Sequence, residues 1–550
     1  MKKNNILLLV LIPMVFFLYA FNFYQLDKSL YTIYDEGYFY LTIWKVKNGI
    51  QNIGVSQWPY FINSIFNDEI TSDILYLRYI GYFTGVFSII SFAIIILLYL
   101  KNELQPKEKI LYLIVVTLMG YFSLGGIIIS FNQIQEFLLL MMIGFFLLSV
   151  KYSKYSYWFW GFIGFFSFLS LLIIFPSGLI ITIGLFILQL LRGFDNKKIY
   201  FTIILFFVGF FISVVNIHFF VVDIITIKEN IIDGAINIMG SDRGYNPMSH
   251  ITRLLFFFRD FFIDICLLIG AYGISLLIKI YTKKWVSEMF FLISILIFTF
   301  YQKQPVMYFS SLLAFPILLF AIIQIYNKIS FRLIFTSEIL ILLFLFITPI
   351  LSAIGTNTAL SIKMVAFILP WSVLYIKIWK AQKYKFVDLK FLILIILIVS
   401  VVVPFKNVIF ENEKLYKFTD EKPISNMKLN RIQKEYFDRV YSILLDYQYR
   451  PQKDIIFATT FDHMTICAMD AVPSETFQLP NDFLVFKNKK KIKRPDFIFL
   501  NNYDYEMMSD SLAKLNWGFP QNYEKYYVGT PDPDAIWKSE RWLYCRKSKM

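Results

Sequence analysis

The stretch that decides the reading is ILLLVLIPMVFFLYAFNF (residues 6–23), followed shortly by Tyr34-Asp35-Glu36-Gly37-Tyr38. The apolar run is long enough to cross a hydrocarbon core of about 30 Å. Lys2 and Lys3 precede it, so the positive-inside rule puts the N-terminus in the cytoplasm and the acid pair across the membrane. The run is too long for a removable signal peptide and lacks a small-residue cleavage site. Two carboxylates at the outer surface of a membrane, ahead of many more apolar runs, point to chemistry on a lipid-borne substrate.

The chain has 550 residues, of which 57% are hydrophobic and 17% charged, well under the roughly 25% charged residues of soluble domains. Apolar runs predict about thirteen transmembrane helices: 6–23, 79–100, 109–128, 134–150, 156–174, 176–192, 199–221, 261–280, 286–301, 307–326, 333–353, 362–378 and 389–405. The expected fold is therefore a polytopic α-helical membrane protein, N-terminus in and C-terminus out, with residues 1–405 as its membrane part. Lys101, Lys107, Lys151, Arg192, Lys283, Lys328 and Lys380 fall on the expected cytoplasmic side. The boundary near Pro176 divides what otherwise reads as one long hairpin. The net charge of +14 sits largely in short loops facing anionic lipid and gives no reason to expect nucleic acid.

Two outer loops are long, 24–78 and 222–260. In the first, Asp35 opens an amphipathic stretch with Tyr38, Leu41 and Trp44 on one helical face and Asn48-Gly49 as its stop. Such a helix is expected to lie along the bilayer surface, and its N-terminal dipole favours ionised Asp35 and Glu36. An ordinary acid pair at a helix N-terminus reads the same way. The second loop ends in a basic, aromatic segment in which His250 and Arg253 share a helix face at i and i+3. Lys45, Arg78, Arg253 and Lys303, with His250, are the candidate partners for an anionic headgroup or phosphate, and snorkelling against lipid is the plainer role of each. Asp260 and Asp264 stand at the start of a span, where a buried acid usually faces a cavity or a partner. His218 reads as a structural residue within a span. Gly355-Thr356-Asn357-Thr358 reads as a turn, and His463 stands beside Asp462 without a visible nucleophile.

Residues 406–550 read as a small α/β extracytoplasmic domain, with a helix over 430–449 and strands at 454–458 and 496–500. Cys467 and Cys545 lie in this part and are placed to pair in an oxidising compartment. Three histidines and three cysteines make a multi-histidine or cysteine metal site improbable on composition.

The span count, the acid pair in the first outer loop and the terminal soluble domain together resemble the GT-C superfamily of membrane glycosyltransferases. The nearest shape is the branch holding protein O-mannosyltransferases and lipid A aminoarabinose transferases. Leu77-Arg78-Tyr79-Ile80-Gly81 resembles the basic opening of that family's second span, and Lys303-Gln304-Pro305-Val306-Met307-Tyr308, followed by Pro316, its lysine–tyrosine–proline stretch. The resemblance covers about residues 1–330. It implies a polyprenyl-phosphate-linked sugar as donor and a glycan, lipid or protein hydroxyl as acceptor. It also implies Asp35 as the acid at the reaction centre, with Glu36 beside it. The family often carries another acid between spans three and four. Here the segment reads Ser130-Phe131-Asn132-Gln133-Ile134-Gln135-Glu136, so Glu136 is the substitute. A metal site stays unassigned, with a divalent cation left open.

Composition biased to Lys, Ile, Phe and Asn suggests an AT-rich bacterial genome, hence an undecaprenyl carrier and a location in the inner (plasma) membrane with the site facing outward. The rivals are a transporter or flippase of lipid-linked glycans and an O-antigen polymerase or ligase. Transporters commonly show internal repeats and none is visible. The polymerases and ligases use large outer loops later in the chain.

Overall fold

The computed structural model describes residues 13, 15–20, 23–24, 26, 33–48, 56–67, 71–121, 130–192, 196–239, 247–301, 305–326, 337–352, 367–381, 416–417, 427–458, 462–474, 493–515, 517–530 and 540–549. Residues 15–20 are helical. Helices α1 (Ile33–Lys47) and α2 (Trp58–Ile65) follow. Then come α3 (Ile74–Tyr99), α4 (Pro106–Tyr121), α5 (Phe131–Lys151), α6 (Ser156–Ile173), α7 (Phe175–Leu191) and α8 (Asn196–Phe220). The remaining helices of this part are α9 (Ile224–Met239), α10 (Pro247–Tyr281), α11 (Lys284–Tyr301), α12 (Pro305–Tyr326), α13 (Ser337–Ser352) and α14 (Trp371–Ala381).

Each expected interval from 79–100 to 362–378 overlaps one of these helices, and 389–405 lies outside the described residues. Five described helices are long and apolar enough to cross a membrane by length and composition: Ile74–Tyr99, Phe131–Lys151, Ser153–Ile173, Lys198–Phe220 and Leu254–Tyr281. That is fewer than the expected thirteen, because others, such as Phe175–Leu191 and Glu338–Ser352, are apolar but shorter. Only 22% of the Lys198–Phe220 window is buried, and Phe201, Ile204, Phe207 and Phe211 point outward. Leaving each in water would forfeit roughly 1.5–3 kcal/mol, so this surface needs lipid. The chain is a membrane protein.

Glycines let the helices approach closely. A Cβ on Gly164 would fall 2.0 Å from the Phe206 carbonyl oxygen, and one on Gly209 would fall 1.8 Å from that of Gly161. Only a bare Cα fits where α6 and α8 cross, as small residues allow between membrane helices. The division at Pro176 is real: Ile174 is extended and Pro176 opens α7, where its missing N–H costs nothing.

The bundle has two ends of different character. At one, Glu103 receives Lys377 at 2.8 Å and Lys151 at 3.6 Å, Lys377 also meets Glu338 at 3.3 Å, and Lys380 donates to the Glu103 carbonyl. The other end gathers α1, α2, α9 and the C-terminal sheet.

That sheet contains β3 (Ile455–Ala458), β4 (Val472–Pro473), β5 (Phe497–Asn501), β6 (Tyr523–Gly529) and β7 (Arg541–Arg546), in the order β4-β3-β5-β7-β6. A separate antiparallel pair, β1 (Tyr416–Lys417) and β2 (Lys428–Leu429), precedes it. Strands β4, β3 and β5 are parallel, while β7 runs antiparallel to both β5 and β6. Every residue of β5 is buried, as an unbroken apolar run in a central strand requires. Helix α15 (Arg431–Asp446) opens on a capping box in which Asn430 Oδ1 accepts from the Gln433 N–H at 2.8 Å. Helices α16 (His463–Ala468) and α17 (Asn502–Ala513) complete this part. The helix and both strands expected here are present. The expected cysteine pairing is not: Cys467, in α16, and Cys545, in β7, are both buried free thiols.

A cysteine placed at exposed Lys101 and one at exposed Lys514 should be labelled by a membrane-impermeant maleimide from opposite sides of intact cells. Labelling of both from one side would break the two-ended arrangement.

Candidate functional site

Helix α1 begins at Ile33, so Asp35 and Glu36 occupy its first turn, where the helix dipole favours anions. Their side chains lie outside the described part. Asn48 ends the helix as expected, its side-chain amide donating to the Trp44 carbonyl at 2.8 Å. The expectation of a helix lying bare on the bilayer surface is corrected by the structure. Phe39, Tyr40, Leu41, Thr42 and Ile43 are five consecutive buried residues, which at 100° per residue leaves no face open. Helix α16 packs against α1 from the C-terminal part. From below, Phe39 meets Trp58 and Phe131 edge-on, with centroids 5.8 and 5.7 Å apart. Asn63 donates to the Ile43 carbonyl at 3.0 Å. Burial, with Asp73 nearby, holds the Tyr40 phenol well above its ordinary range.

The membrane helices meet α1 through their ends. Asp73 caps α3, its Oδ1 accepting from the Leu75 N–H at 2.8 Å. Arg78, expected as an outer-loop cation, instead lies in the second turn of α3 and is fully buried; its Nη1 donates to the Leu26 carbonyl at 2.7 Å. It fastens the chain just after the first apolar run to the next helix. Tyr82 adds a bond to the Tyr19 carbonyl at 3.0 Å.

Ser130 caps α5. The segment read as a loop between spans is therefore helical from Phe131, and Glu136 is buried in its second turn. The neighbouring Gln135 donates to Ser170 Oγ at 2.8 Å and to Ser177 Oγ at 2.9 Å, joining α5 to the α6–α7 break. Gln57 N–H donates to the Leu172 carbonyl at 2.9 Å, and Asn230 of α9 donates to Gln57 Oε1 and Tyr60 OH at 3.1 and 3.2 Å. The two long loops, 24–78 and 222–260, thus meet over the same helix ends.

Of the candidate residues, Lys45 on α1, Arg78 on α3 and Glu136 on α5 are all buried and flank one apolar cluster that holds Ile43, Leu77, Leu138, Ile173 and Met464. His250 and Arg253 stand one turn apart at the start of α10, with side chains outside the described part. Lys303 and the 355–358 segment lie outside the described residues altogether. Asp264 accepts from Ser311 at 3.0 Å, between α10 and α12. His218 sits at the end of α8, where its Nδ1 lies 3.0 Å from an Asp223 oxygen. Asp73, Gln135 and Asn230 were missed on sequence; only Asp73 had a signal, an acid directly before an apolar run. In the C-terminal part Asp462 pairs with Arg541, and burial pushes its carboxyl above the ordinary range while Arg541 pulls it back in part.

No family model matches the sequence, and no curated protein matches it. Among solved structures the chain is similar to the oligosaccharyltransferase of Archaeoglobus fulgidus. The apo form aligns over 96% of this chain and 73% of that one, at 12% identity and TM-score 0.46. The complex with Zn and sulfate aligns over 95% and 72%, at 11% and 0.44. The complex of the archaeal enzyme AglB with an inhibitory peptide and a dolichol-phosphate aligns over 94% and 72%, at 10% and 0.43. At these identities and TM-scores the likeness assigns no activity to the chain.

Truncating Phe39 to alanine should cost about 3–5 kcal/mol of the packing between α1 and its surroundings. Limited proteolysis should then cut the C-terminal part from the bundle faster, with a lower melting temperature. An unchanged digestion profile would mean that α1 is not what holds the two parts together.

Proposed function

We propose that the chain is a membrane glycosyltransferase of GT-C type that moves a sugar from a polyprenyl phosphate to a hydroxyl of a glycan, lipid or protein outside the cytoplasmic membrane. The observation that carries this reading is the position of Asp35-Glu36. The pair opens a helix walled in by the ends of membrane helices on one side and by the C-terminal sheet domain on the other. A lipid-borne donor and a water-borne acceptor meet at such a boundary.

In this reading the acceptor oxygen attacks the anomeric carbon, the bond from that carbon to the phosphate oxygen breaks, and the lipid phosphate leaves with the electron pair. Asp35 takes the acceptor's proton, and Glu36 orients it. The departing phosphate needs cations: Lys45, Arg253 and Lys303 are proposed to supply them, with His250 as a further donor. Arg78 acts one step back, by fixing the start of the first loop. Glu136, within the same junction, is proposed to hold the acceptor side. Among the described residues no three of His, Cys, Asp and Glu converge as a metal would require.

Asp35→Asn should lower sugar transfer by about 10²–10⁴-fold in membranes supplied with polyprenyl-phosphate sugar, while donor binding and expression are kept. Undiminished transfer would remove Asp35 from the chemistry, whereas a chain that only carries lipid-linked glycans across the membrane would show no transfer in the wild type either.

A further inference from the structure

Helix α8 ends at Phe220, and α9 begins four residues later at Ile224. The linking chain folds back on α8: the Val221 and Val222 N–H groups both donate to the Ile217 carbonyl, at 3.0 and 2.9 Å. Four residues reach at most about 14 Å even when extended, so α9 starts close to the end of α8. The apolar window of α8, Lys198–Phe220, is 23 residues long and rises about 34 Å, little more than the thickness of a hydrocarbon core. The first turns of α9 therefore stand at the level where hydrocarbon gives way to headgroups.

At 3.6 residues per turn, Ile224, Ile225, Ile227, Ile231 and Ile232 fall on one side of α9, and Thr226, Glu229 and Asn230 on the other. The protein itself covers part of each side. Ile227 is buried with Leu172 and Ile217, and Ile231 and Phe61 of α2 pack against them. Asn230 is buried against Gln57. The rest of the apolar side is bare: Ile225 is 64% exposed, and Ile232, two turns on, is 46% exposed. Just before them Phe219 is 72% exposed, and it shares a face of α8 with exposed Phe201, Val208 and Ile212. The lipid-facing stripe of α8 thus continues onto α9.

We propose that α9 is an interfacial helix, with Ile225 and Ile232 embedded among the hydrocarbon chains of the leaflet at this end of the bundle. A helix bathed in water on its open side turns its isoleucines to the core; here they face out beside a membrane helix. The occupant is lipid because the exposed row continues a lipid-facing surface at the same depth. Lys228 is exposed on this side too, and its flexible stem carries the charge to the headgroups. The place along the bilayer expected for α1 is thus filled by α9. Its seating holds the start of the second long loop at headgroup depth against α2, which in turn packs on the acid-bearing α1. This lipid contact does not rest on the transfer reading.

The test places nitroxide spin labels on the full chain in nanodiscs of phosphatidylethanolamine and phosphatidylglycerol. In a Cys266→Ser background, Ile225→Cys and Ile232→Cys carry the labels, with Phe207→Cys on α8 as the lipid reference and Lys514→Cys in the C-terminal part as the water reference. The probes are molecular oxygen, which concentrates in hydrocarbon, and a water-soluble nickel chelate. Both labels on α9 should follow the Phe207 position, relaxed severalfold more by oxygen than by nickel, while the Lys514 position shows the reverse. Nickel prevailing on α9 overturns the proposal, because water then bathes this face. Shielding from both probes overturns it as well, because protein, a second copy included, then covers the face. A measurement on the unaltered chain guards against a cysteine variant that fails to fold: a phospholipid with a photoreactive group in its acyl chain should mark residues 224–232. Marking of α8 without α9 sinks the lipid contact. Asp35→Asn should change none of these readings, so failure of the transfer reading and failure of this one are seen separately.

Discussion

Over residues 39–43 helix α1 has no side left for water, and most of what is distinctive here follows from that. Four of its apolar or aromatic residues, Phe39, Tyr40, Leu41 and Ile43, are buried in succession. Removing each from water is worth roughly 1.5–3 kcal/mol. Such a gain is available only if both the membrane bundle and the C-terminal sheet close on the helix together. The helix of the first outer loop is thereby held between the two, and Asp35 and Glu36 lie in its first turn.

The polar groups around α1 differ in kind from those at the far end of the bundle. At the far end, Glu103, Lys151, Lys377 and Glu338 form an ionic cluster with side chains 20% to 67% exposed, where water lowers the cost of charge. Around α1 the recurring partners are amides, hydroxyls and backbone carbonyls: Gln57, Asn230, Gln135, Ser170 and Ser177. Neutral donors and acceptors tolerate burial at much lower cost than ions do. Charged groups are buried here too, Lys45, Asp73, Arg78 and Glu136 among them, and Arg78 does tertiary work by holding the Leu26 carbonyl.

Much of the architecture was legible because its causes are local. A long apolar run has few fates besides a helix, and the runs from 79–100 to 362–378 each overlap one, five described helices being long and apolar enough to cross a membrane. The break at Pro176 was legible because proline removes a donor. The strands at 455–458 and 497–501 could be read from short apolar runs bounded by Asp454 and Asp496. The site was less legible. Arg78 was named as a site residue but placed in a loop, and Glu136 at the very start of a span, because an isolated charge at the margin of an apolar run pulls the apparent boundary toward it. In the structure, capping by Asp73 and Ser130 starts each helix earlier and carries the charge inside.

The sequence by itself determined that the chain enters lipid, that an acid pair opens a helix after the first run, and that a strand-containing region follows the last. Hydropathy and capping act over neighbouring residues, so one dimension suffices for them. Only the tertiary structure decided that the C-terminal sheet closes over the acid-bearing helix and that Gln57 meets Asn230. It alone set Arg541 against Asp462, 79 positions apart in the chain. Such pairings depend on which surfaces exclude water from one another, and no local pattern of residues encodes that choice.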